Sequence, residues 1–218
     1  PDGLEAVAVA RGSSELWVYD LVDPTAIPQI IPMPSEEVFG SLVLSPTGNE
    51  GLLFSTASGA ARYASWDRTE TNPFDAVTIR SLVKPIASVE ISPSGDTAIV
   101  FHPKENGTDV SVESLFYNEY ALTMIDLEDF FANPLRLASE PIGYDHSDDG
   151  ELGFVILDGE PYLEVLHYES LLFNEIELKS DPVHLGVLPN THTAFVSQEH
   201  DLGRISFYDA DSQQLQTI

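Results

Sequence analysis

The 218-residue chain contains no cysteine, which excludes disulfide bonds, thiolate metal sites and a cysteine nucleophile. It is also poor in positive charge, with 9 lysines and arginines against 36 aspartates and glutamates, and its formal net charge is -27. Contacts to nucleic-acid phosphates and to anionic lipid headgroups need clustered Lys and Arg. The charge balance therefore argues against nucleic-acid binding and against docking on an anionic membrane surface.

Long apolar runs are absent as well. No stretch approaches the roughly 20 consecutive apolar residues that a membrane-spanning helix requires. Hydrophobic residues nevertheless make up 43% of the chain and aromatic residues 10%, which is too much for a disordered acidic tail. The acidic residues are scattered between apolar segments, so we expect the negative charge to coat a folded body.

The sequence does contain a repeated phrase, in which a short apolar strand, a tight turn and a second apolar strand follow one another. The turn has the form Ser-Pro-x-Gly in its two clearest copies, Ser45–Gly48 and Ser92–Gly95. Related turns occur at Ser147–Gly150, at Leu188–Thr191 and in the opening Pro1-Asp2-Gly3. Five copies at spacings of 45, 47, 55 and 41 residues indicate an internal repeat.

A second phrase recurs in each unit, an apolar strand that ends on Asp20, Asp67, Asp126 or Asp209, with Tyr168 in the equivalent place of the fourth unit. An aspartate that recurs once per unit serves the fold rather than catalysis, so we expect these carboxylates to accept hydrogen bonds from turn amides. A weaker strand follows each of these. Every complete unit thus holds four short strands bounded by Gly, Pro, Asn and Asp.

Four strands in each unit of about 40 to 45 residues are typical of a β-propeller blade, so the sequence predicts an all-β propeller of five visible blades in a single domain. The alternative is a β-sandwich, whose strands do not repeat a turn sequence at this period. We also expect one helical turn at 127–132, capped by Asp126 and ended by Pro134. The predicted blades span residues 1–37, 38–82, 83–140, 141–180 and 181–218.

The strand count indicates that these residues do not close a ring. The first unit begins at its turn and lacks a first strand, which leaves about nineteen strands of a possible twenty. Either residues before Pro1 or after Ile218 supply the missing strand to a five-bladed ring, or the five blades belong to a ring of six to eight. We favour the larger ring, because proteins normally avoid an unpaired sheet edge.

The Ser-Pro-x-Gly turns and the strands that end on aspartate resemble bacterial propeller repeats related to WD-repeat, lactonase-like and surface-layer propellers. In particular, Ala194–Gln198 followed by Gly203–Ile205 is similar to repeats in predicted cell-envelope lipoproteins of myxobacteria and their relatives. The WD-repeat signature is incomplete, since Trp66-Asp67 is its only Trp-Asp pair. The resemblance implies an extracytoplasmic protein, periplasmic, on the outer-membrane surface or secreted, but it specifies a fold and not an activity.

Few residues suggest catalysis or metal binding. Asp145–Gly150 spells the first half of a calcium loop, but its twelfth place holds Ile156 and not glutamate, and the segment also aligns with the repeated turn. We therefore expect an ordinary turn, or at most a weak calcium site completed by Glu151 or a backbone carbonyl. None of the six histidines forms an H-x-x-x-H pair, although His184 and His192 flank one turn. No catalytic elbow or phosphate-binding loop occurs. We therefore predict no catalytic residue, no metal centre and no cofactor.

The 55-residue unit departs from the repeat, and its excess lies at 104–120, between its second and third strands. In a propeller this loop emerges on the face that carries the connections between blades, where ligands usually bind. Aromatic rings beside carboxylates suit a cationic or sugar-like partner. The alternative is a hairpin whose aromatic residues cover a neighbouring blade. The predicted binding residues are Phe116, Tyr117, Tyr120, Glu113 and Glu119.

Two classes of function remain. The first is a non-catalytic extracytoplasmic binding or scaffold propeller that recognises a protein, peptide or glycan, and we favour it because a catalytic constellation is missing. The second is a lactonase-like hydrolase with a metal or acid–base site in the central funnel. For that site the first strands offer Glu90, Asp145 and His184.

Overall fold

The computed structural model describes residues 3–11, 13–34, 38–56, 59, 61–107 and 110–218. Within those ranges the chain forms nineteen β-strands, no helix, and five antiparallel sheets. The predicted all-β propeller architecture is confirmed. None of the described segments is a helix long and apolar enough to cross a membrane. Residues 35–37, at the predicted boundary between blades 1 and 2, lie outside the described ranges.

Each sheet is one blade built from consecutive strands. Blade 1 contains β1 (Glu5–Ala10), β2 (Glu15–Asp20) and β3 (Gln29–Pro32). Blade 2 contains β4 (Ser41–Leu44), β5 (Glu50–Phe54), β6 (Arg62–Asp67) and β7 (Val77–Ser81). Blade 3 contains β8 (Ser88–Ile91), β9 (Thr97–His102), β10 (Tyr120–Asp126) and β11 (Ala132–Leu137). Blade 4 contains β12 (Pro141–His146), β13 (Leu152–Leu157), β14 (Tyr162–His167) and β15 (Leu172–Glu177). Blade 5 contains β16 (Pro182–Val187), β17 (Thr193–Gln198), β18 (Arg204–Asp209) and β19 (Gln214–Thr217).

Every strand pairs with the next strand in sequence, so blades 2 to 5 are four-stranded meanders, and the sheet of blade 1 has three strands. Its strands correspond to the second, third and fourth strands of the other blades, as the sequence predicts. Gly3 of its opening turn has a φ of 72°, whereas Pro1 and Asp2 lie outside the described residues. First strands of neighbouring blades contact each other, β4 with β8 and β12 with β16, which places them nearest the common axis.

The repeated turn has a common hydrogen-bonding pattern. In three blades the serine hydroxyl accepts a hydrogen bond from the amide five residues later, at Ser45, Ser92 and Ser147. The glycine of each of these turns has a positive φ, where a side chain would be strained: Gly48 (74°), Gly95 (88°) and Gly150 (74°). The turn of blade 5 differs, because its left-handed residue is Asn190 (φ 57°), one place before the position that the repeat assigns to glycine.

The recurring aspartates act as predicted. Each carboxylate accepts a hydrogen bond from the backbone N–H two residues later, which shapes the turn between the third and fourth strands. The accepting residues and their donors are Asp20 with Val22, Asp67 with Thr69, Asp126 with Glu128, and Asp209 with Asp211. These four side chains are structural.

The helical turn expected at 127–132 is wrong. The chain makes a hydrogen-bonded turn after Asp126 and enters β11 at Ala132. Pro134 does not end a helix, because it lies within β11 opposite Thr123. β11 is an edge strand, where the missing N–H of proline removes no ladder bond toward the sheet interior.

Successive blades pack face to face through four apolar clusters. β9 shows the principle, since all six of its residues are buried and alternate side chains face opposite neighbours. Ala98 and Val100 join the cluster shared with blade 2, whereas Ile99 and Phe101 join the cluster shared with blade 4. Two further clusters join blade 1 to blade 2 and blade 4 to blade 5. These four clusters of described residues link the blades in series, and none of them joins blade 5 to blade 1.

A substitution at Gly150 tests whether the turns of blades 3 and 4 pack against each other. A Cβ at Gly150 would overlap the backbone nitrogen of Ser94 in blade 3 and lie 2.8 Å from the Ser94 hydroxyl. We expect Gly150→Ala to lower the free energy of unfolding by about 1–3 kcal/mol more than Gly159→Ala does. Gly159 is a matched control, because its φ is 67° and a Cβ added there would meet no atom within 4 Å. Equal losses in urea denaturation would show that the two turns do not pack as described.

Candidate functional site

The two ends of the sheets carry different connections. One end, the turn face, bears the turns between first and second strands and between third and fourth strands. The other end, the loop face, bears the loops between second and third strands and the connections between blades. The long segment of blade 3, residues 103–119, joins β9 to β10 and therefore lies on the loop face.

The five predicted binding residues occupy the second half of this loop and the first position of β10. Glu113 is exposed, whereas Phe116, Tyr117, Glu119 and Tyr120 are partly buried. Short turns around Ser111 and Ser114 hold the tip, where each serine hydroxyl accepts a hydrogen bond from the amide two residues later. Thr108 and Asp109, which the sequence also assigns to this loop, lie outside the described residues.

A buried lysine anchors the loop from beneath. The Lys84 ammonium is fully buried and donates three hydrogen bonds to loop carbonyls, to Lys104 at 3.0 Å, to Phe116 at 3.1 Å and to Glu119 at 2.6 Å. Burial lowers the pKa of Lys84, and the neighbouring carboxylates of Glu105 and Glu119 raise it. The three carbonyls match the three protons of the ammonium group. Because Lys104 lies at the start of the loop and Phe116 and Glu119 lie near its end, one charge holds both halves of the loop. Nothing in the sequence around Lys84 singles it out as an anchor.

Asn106 and Asn118 hydrogen-bond to each other across the two halves of the loop. The backbone N–H of Asn118 donates to the side-chain oxygen of Asn106 at 2.9 Å, and the side-chain NH2 of Asn106 donates to the side-chain oxygen of Asn118 at 2.6 Å. Asn118 has a φ of 57°, a left-handed conformation that asparagine tolerates better than most residues. The hydrogen bonds of this asparagine pair and those of Lys84 fix the position of the loop.

A cleft of about 630 Å³ opens at the base of the loop, between blades 3 and 4. Of the five predicted binding residues, Tyr120 lines this cleft and the other four do not. Three carboxylates line it, and none of its described lining residues is Lys or Arg. The lining residues are Ala87, Ser88, Glu90, Phe101, His102, Pro103, Glu105, Tyr120, Glu140, Pro141, Ile142, Gly143 and Tyr144.

The inner wall of the cleft is aromatic and uncharged. The Phe101 and Tyr144 rings meet edge to face at 5.4 Å, and the Tyr144 hydroxyl lies 2.7 Å from that of Tyr168. Burial raises the pKa of Tyr144, so this phenol stays neutral. His102 places its ring nitrogens 2.7 Å from the Pro85 carbonyl and 2.7 Å from the Thr123 hydroxyl. Burial lowers the pKa of His102 to about 4, which keeps the imidazole uncharged at neutral pH.

Tyr120 forms the outer wall. Its hydroxyl donates to Glu140 at 3.4 Å, and the Lys104 ammonium lies 5.7 Å from the centre of its ring. Partial burial raises the pKa of Tyr120, and the negative charge of Glu140 raises it further, so the phenol remains a hydrogen-bond donor. An aromatic face with a carboxylate at its edge is suited to a cation.

A wider groove of about 940 Å³ lies between blades 3 and 4 on the opposite, turn face. Its one tyrosine, Tyr168, is buried, and its described lining includes neither Lys nor Arg. Burial raises the pKa of Glu50 in this groove, and the charges of Asp67 and Asp96 raise it further. The sequence does not predict this groove, because its carboxylates come from three different blades and lie far apart along the chain. They belong to Glu50, Asp96, Asp126, Glu128, Asp149, Glu151 and Glu169.

The segment predicted as a weak calcium loop holds two blades together. The Asp145 carboxylate accepts a hydrogen bond from the Val187 amide at 2.9 Å, and Asp148 accepts one from Asn190 at 2.7 Å, both donors lying in blade 5. Ser147 donates to the third carboxylate, Asp149, at 2.6 Å. These contacts commit Asp145 and Asp148 to the neighbouring blade, so weak calcium binding stays a prediction that rests on the remaining carboxylates.

His192 of blade 5 lies between two carboxylates of the turn face. Its ring nitrogens lie 2.7 Å from Asp211 and 2.6 Å from Asp149. Hydrogen bonds to Asp211 and then Asp149 raise the pKa of His192 to about 9. Ligand atoms of Asp149, Glu151 and His192 lie within 4.8 Å of one another, the one such group among the described residues. Because both ring nitrogens contact carboxylates, the described arrangement is an ion pair that joins blades 4 and 5.

Comparison with known proteins gives a fold and no family. No family model and no curated protein matches the sequence. Among solved structures, hydrazine synthase of Kuenenia stuttgartiensis aligns with a TM-score of 0.52 at 15% identity, over 97% of this chain and 63% of that chain. The chain thus spans less than two thirds of the length of that neighbour. At this identity the likeness concerns the fold alone.

Two further neighbours align more weakly. A functionally unknown protein from Desulfotomaculum acetoxidans has a TM-score of 0.46 at 11% identity, over 98% of this chain and 78% of that chain. The Cps50 (Swd1) β-propeller domain of Myceliophteria thermophila has a TM-score of 0.47 at 13% identity, over 97% and 70%. None of these neighbours shows the similarity to myxobacterial lipoproteins, which stays a prediction.

Replacing Lys84 tests the loop anchor. We expect Lys84→Met to speed amide hydrogen exchange across 104–119 and to lower the free energy of unfolding by about 1–3 kcal/mol, because it leaves buried carbonyls without a donor. Lys179→Met is the control, since Lys179 is exposed and lies in the segment that leads into blade 5. Unchanged exchange in the loop of the Lys84 variant would contradict the anchor.

The His192 ion pair predicts a pH dependence of stability. Because the folded-state pKa is about 9 and the ordinary value is 6.5, the contribution is fully present below pH 6.5 and is lost as the pH rises through 9. The partners are partly exposed, so we expect His192→Gln to cost about 1 kcal/mol at pH 6 and close to nothing at pH 10. Urea denaturation at both pH values, with the exposed His184→Gln as control, measures this. A cost that does not change with pH would contradict the ion pair.

Proposed function

We propose that the protein is a non-catalytic binding or scaffold propeller that holds a protein partner on its loop face, outside the cytoplasm. The single observation that carries the proposal is the anchored loop of blade 3 beside a cleft of about 630 Å³. Lys84 fixes the loop from inside, so its tip is presented in one position. A preorganised loop lowers the entropy cost of binding.

The exposed side chains of the loop support a protein partner. Val112 is 72% exposed and Leu115 is 81% exposed, beside the predicted binding residue Glu113. Phe116 and Tyr117 are partly buried and belong to none of the four apolar clusters of the described residues. Exposed aliphatic side chains beside a carboxylate and partly exposed aromatic rings are typical of a protein interface.

The location outside the cytoplasm rests on composition and on the resemblance to cell-envelope propeller repeats. A chain without cysteine suits either redox environment, and a net charge of -27 keeps a secreted domain soluble.

The hydrolase alternative finds less support. The Asp145 carboxylate accepts backbone hydrogen bonds from His146 and Val187, and Glu90 lines the loop-face cleft. His184 is exposed on β16. The one group of metal-ligand type among the described residues lies on the turn face and includes none of these three residues. Among the described residues, Glu90, Asp145 and His184 therefore form no group of metal-ligand type.

Site-directed crosslinking tests the proposal, because a chain without cysteine accepts a single introduced thiol. Leu115→Cys places a crosslinker on the loop tip, and Phe131→Cys places it on an exposed apolar position of the turn face, where Phe131 is 60% exposed. We expect a discrete crosslinked product in extracts of the source organism from the loop position only. Products from the turn face alone would contradict the proposal, as would hydrolysis of lactones or aryl esters that a chelator abolishes.

A further inference from the structure

We propose that Glu164 makes the interface between blades 3 and 4, here called the seam, sensitive to pH: the seam closes around the uncharged carboxyl group and loosens when that group ionises. Glu164 lies in β14, the third strand of blade 4. The loop-face cleft and the turn-face groove both lie between these two blades, so loosening the seam moves the walls of both. This device is independent of what binds on the loop face.

The Glu164 side chain lies on the face of blade 4 that packs against blade 3. Glu164 is paired with Val155 of β13 and precedes Leu166 by two positions, and both of these residues belong to the apolar cluster shared with blade 3. Alternate residues of a strand lie on the same face of its sheet, so Glu164 shares that face. Only 2% of the residue is exposed, and its carboxyl oxygen Oε2 is buried without a hydrogen-bond partner among the described residues.

Other blades have a hydrogen-bonded polar pair at this position. In blade 3 the place of Glu164 is taken by Thr123, and a ring nitrogen of His102 on the second strand lies 2.7 Å from its hydroxyl. Blade 4 has Leu157 in the place of His102, and leucine can neither donate nor accept a hydrogen bond. Glu164 therefore lacks the partner that the repeat supplies elsewhere. The corresponding pair in blade 5 is Gln198 with Ser206.

A carboxyl group in this environment favours its neutral form. Moving a carboxylate out of water costs more than moving the neutral acid, and a like charge nearby adds to that cost. Burial, and then the negative charge of Glu175 directly opposite on β15, raises the pKa of Glu164 to about 8. At neutral pH the closed seam therefore holds mostly the protonated acid.

Among the described strand residues, no lysine or arginine lies on the seam side of either sheet. Arg136 of β11 is paired with Ala121 and lies on the opposite face of blade 3. Strands β9, β11 and β13 contribute no titratable side chain on the seam side. The titratable side chains there are Tyr144 and His146 on β12, Tyr162 on β14, Tyr168 after β14, Glu175 and Glu177 on β15, Glu90 on β8, and Tyr120 and Asp126 on β10.

The direction of the pH effect follows from proton linkage. When the seam opens, Glu164 meets water and its pKa returns toward the ordinary value of 4.5. Below pH 4.5 the group is protonated in both states and does not favour opening. Between pH 4.5 and about 8 the open state releases the proton and the closed state keeps it, so each pH unit favours opening by up to about tenfold. Above that range both states are ionised, and the effect stops growing.

Thiol labelling tests the proposal, because the chain has no cysteine of its own. Leu122→Cys places a fully buried thiol in the seam, and Leu53→Cys places one in the cluster between blades 1 and 2. A small neutral reagent, dilute enough that labelling is slower than reclosing, reports the open fraction. Each thiol is labelled with Glu164 present and with Glu164→Gln at the same pH, which cancels the reactivity of the thiol and the contribution of His192. We expect Glu164 to speed labelling of Leu122→Cys over the Gln variant by a ratio that grows about tenfold to a hundredfold from pH 6 to pH 8.

Matched controls separate the seam from general effects of charge. Glu177→Gln removes an exposed carboxylate from β15 and should give a ratio that does not change with pH. The proposal is overturned if the ratio at Leu122→Cys is the same at pH 6 and pH 8, if it grows equally at Leu53→Cys, or if Glu177→Gln reproduces it.

Urea denaturation of the cysteine-free proteins is a second measurement that needs no thiol in the core. The midpoint of Glu164→Gln should exceed that of the wild type at pH 8, by a gap that shrinks at pH 6 and closes near pH 4.5, and Glu164→Leu should show the same trend. A gap that is constant across this range contradicts the proposal.

Discussion

Face-to-face packing of successive blades is the interaction on which the rest of the structure depends. A single blade of a repeat architecture cannot bury its apolar faces alone, so neighbouring blades must cover them. The central strands solve this by burying both faces, as β9 does with Val100 toward blade 2 and Ile99 toward blade 4. Because the packing is made by strands, the loops at both ends are free to vary, and a cleft forms where blades 3 and 4 meet beneath the longest loop.

Several of the few cationic side chains make defined contacts within the fold. Lys84 holds the loop of blade 3, and His192 joins blade 4 to blade 5. The Arg80 guanidinium lies 4.2 Å from the centre of the Phe130 ring, and Arg11 donates to the Gly40 carbonyl of the neighbouring blade at 2.6 Å. With these cations engaged inside the molecule, both grooves between blades 3 and 4 are left with carboxylates.

The sequence predicts what is periodic and misses what is not. Turns that repeat Ser-Pro-x-Gly and strands that end on aspartate carry a local signal, so the blades and the role of Asp126 follow from them. Lys84 carries no such signal, because an isolated lysine looks like a surface residue until the fold closes over it. The cleft is assembled from segments more than fifty positions apart, so Tyr120 is found by its neighbours in sequence but Tyr144 is not. The helical turn predicted before Pro134 was wrong because proline occurs both after the end of helices and in edge strands.

Amide hydrogen exchange of the unmodified protein tests the central claim most directly, because it maps the packing of the blades strand by strand. The account predicts slow exchange in the second strands of blades 3 and 4, Thr97–His102 and Leu152–Leu157, whose residues are all buried, and faster exchange in the fourth strand of blade 4, Leu172–Glu177. Equal exchange in these three strands would contradict it.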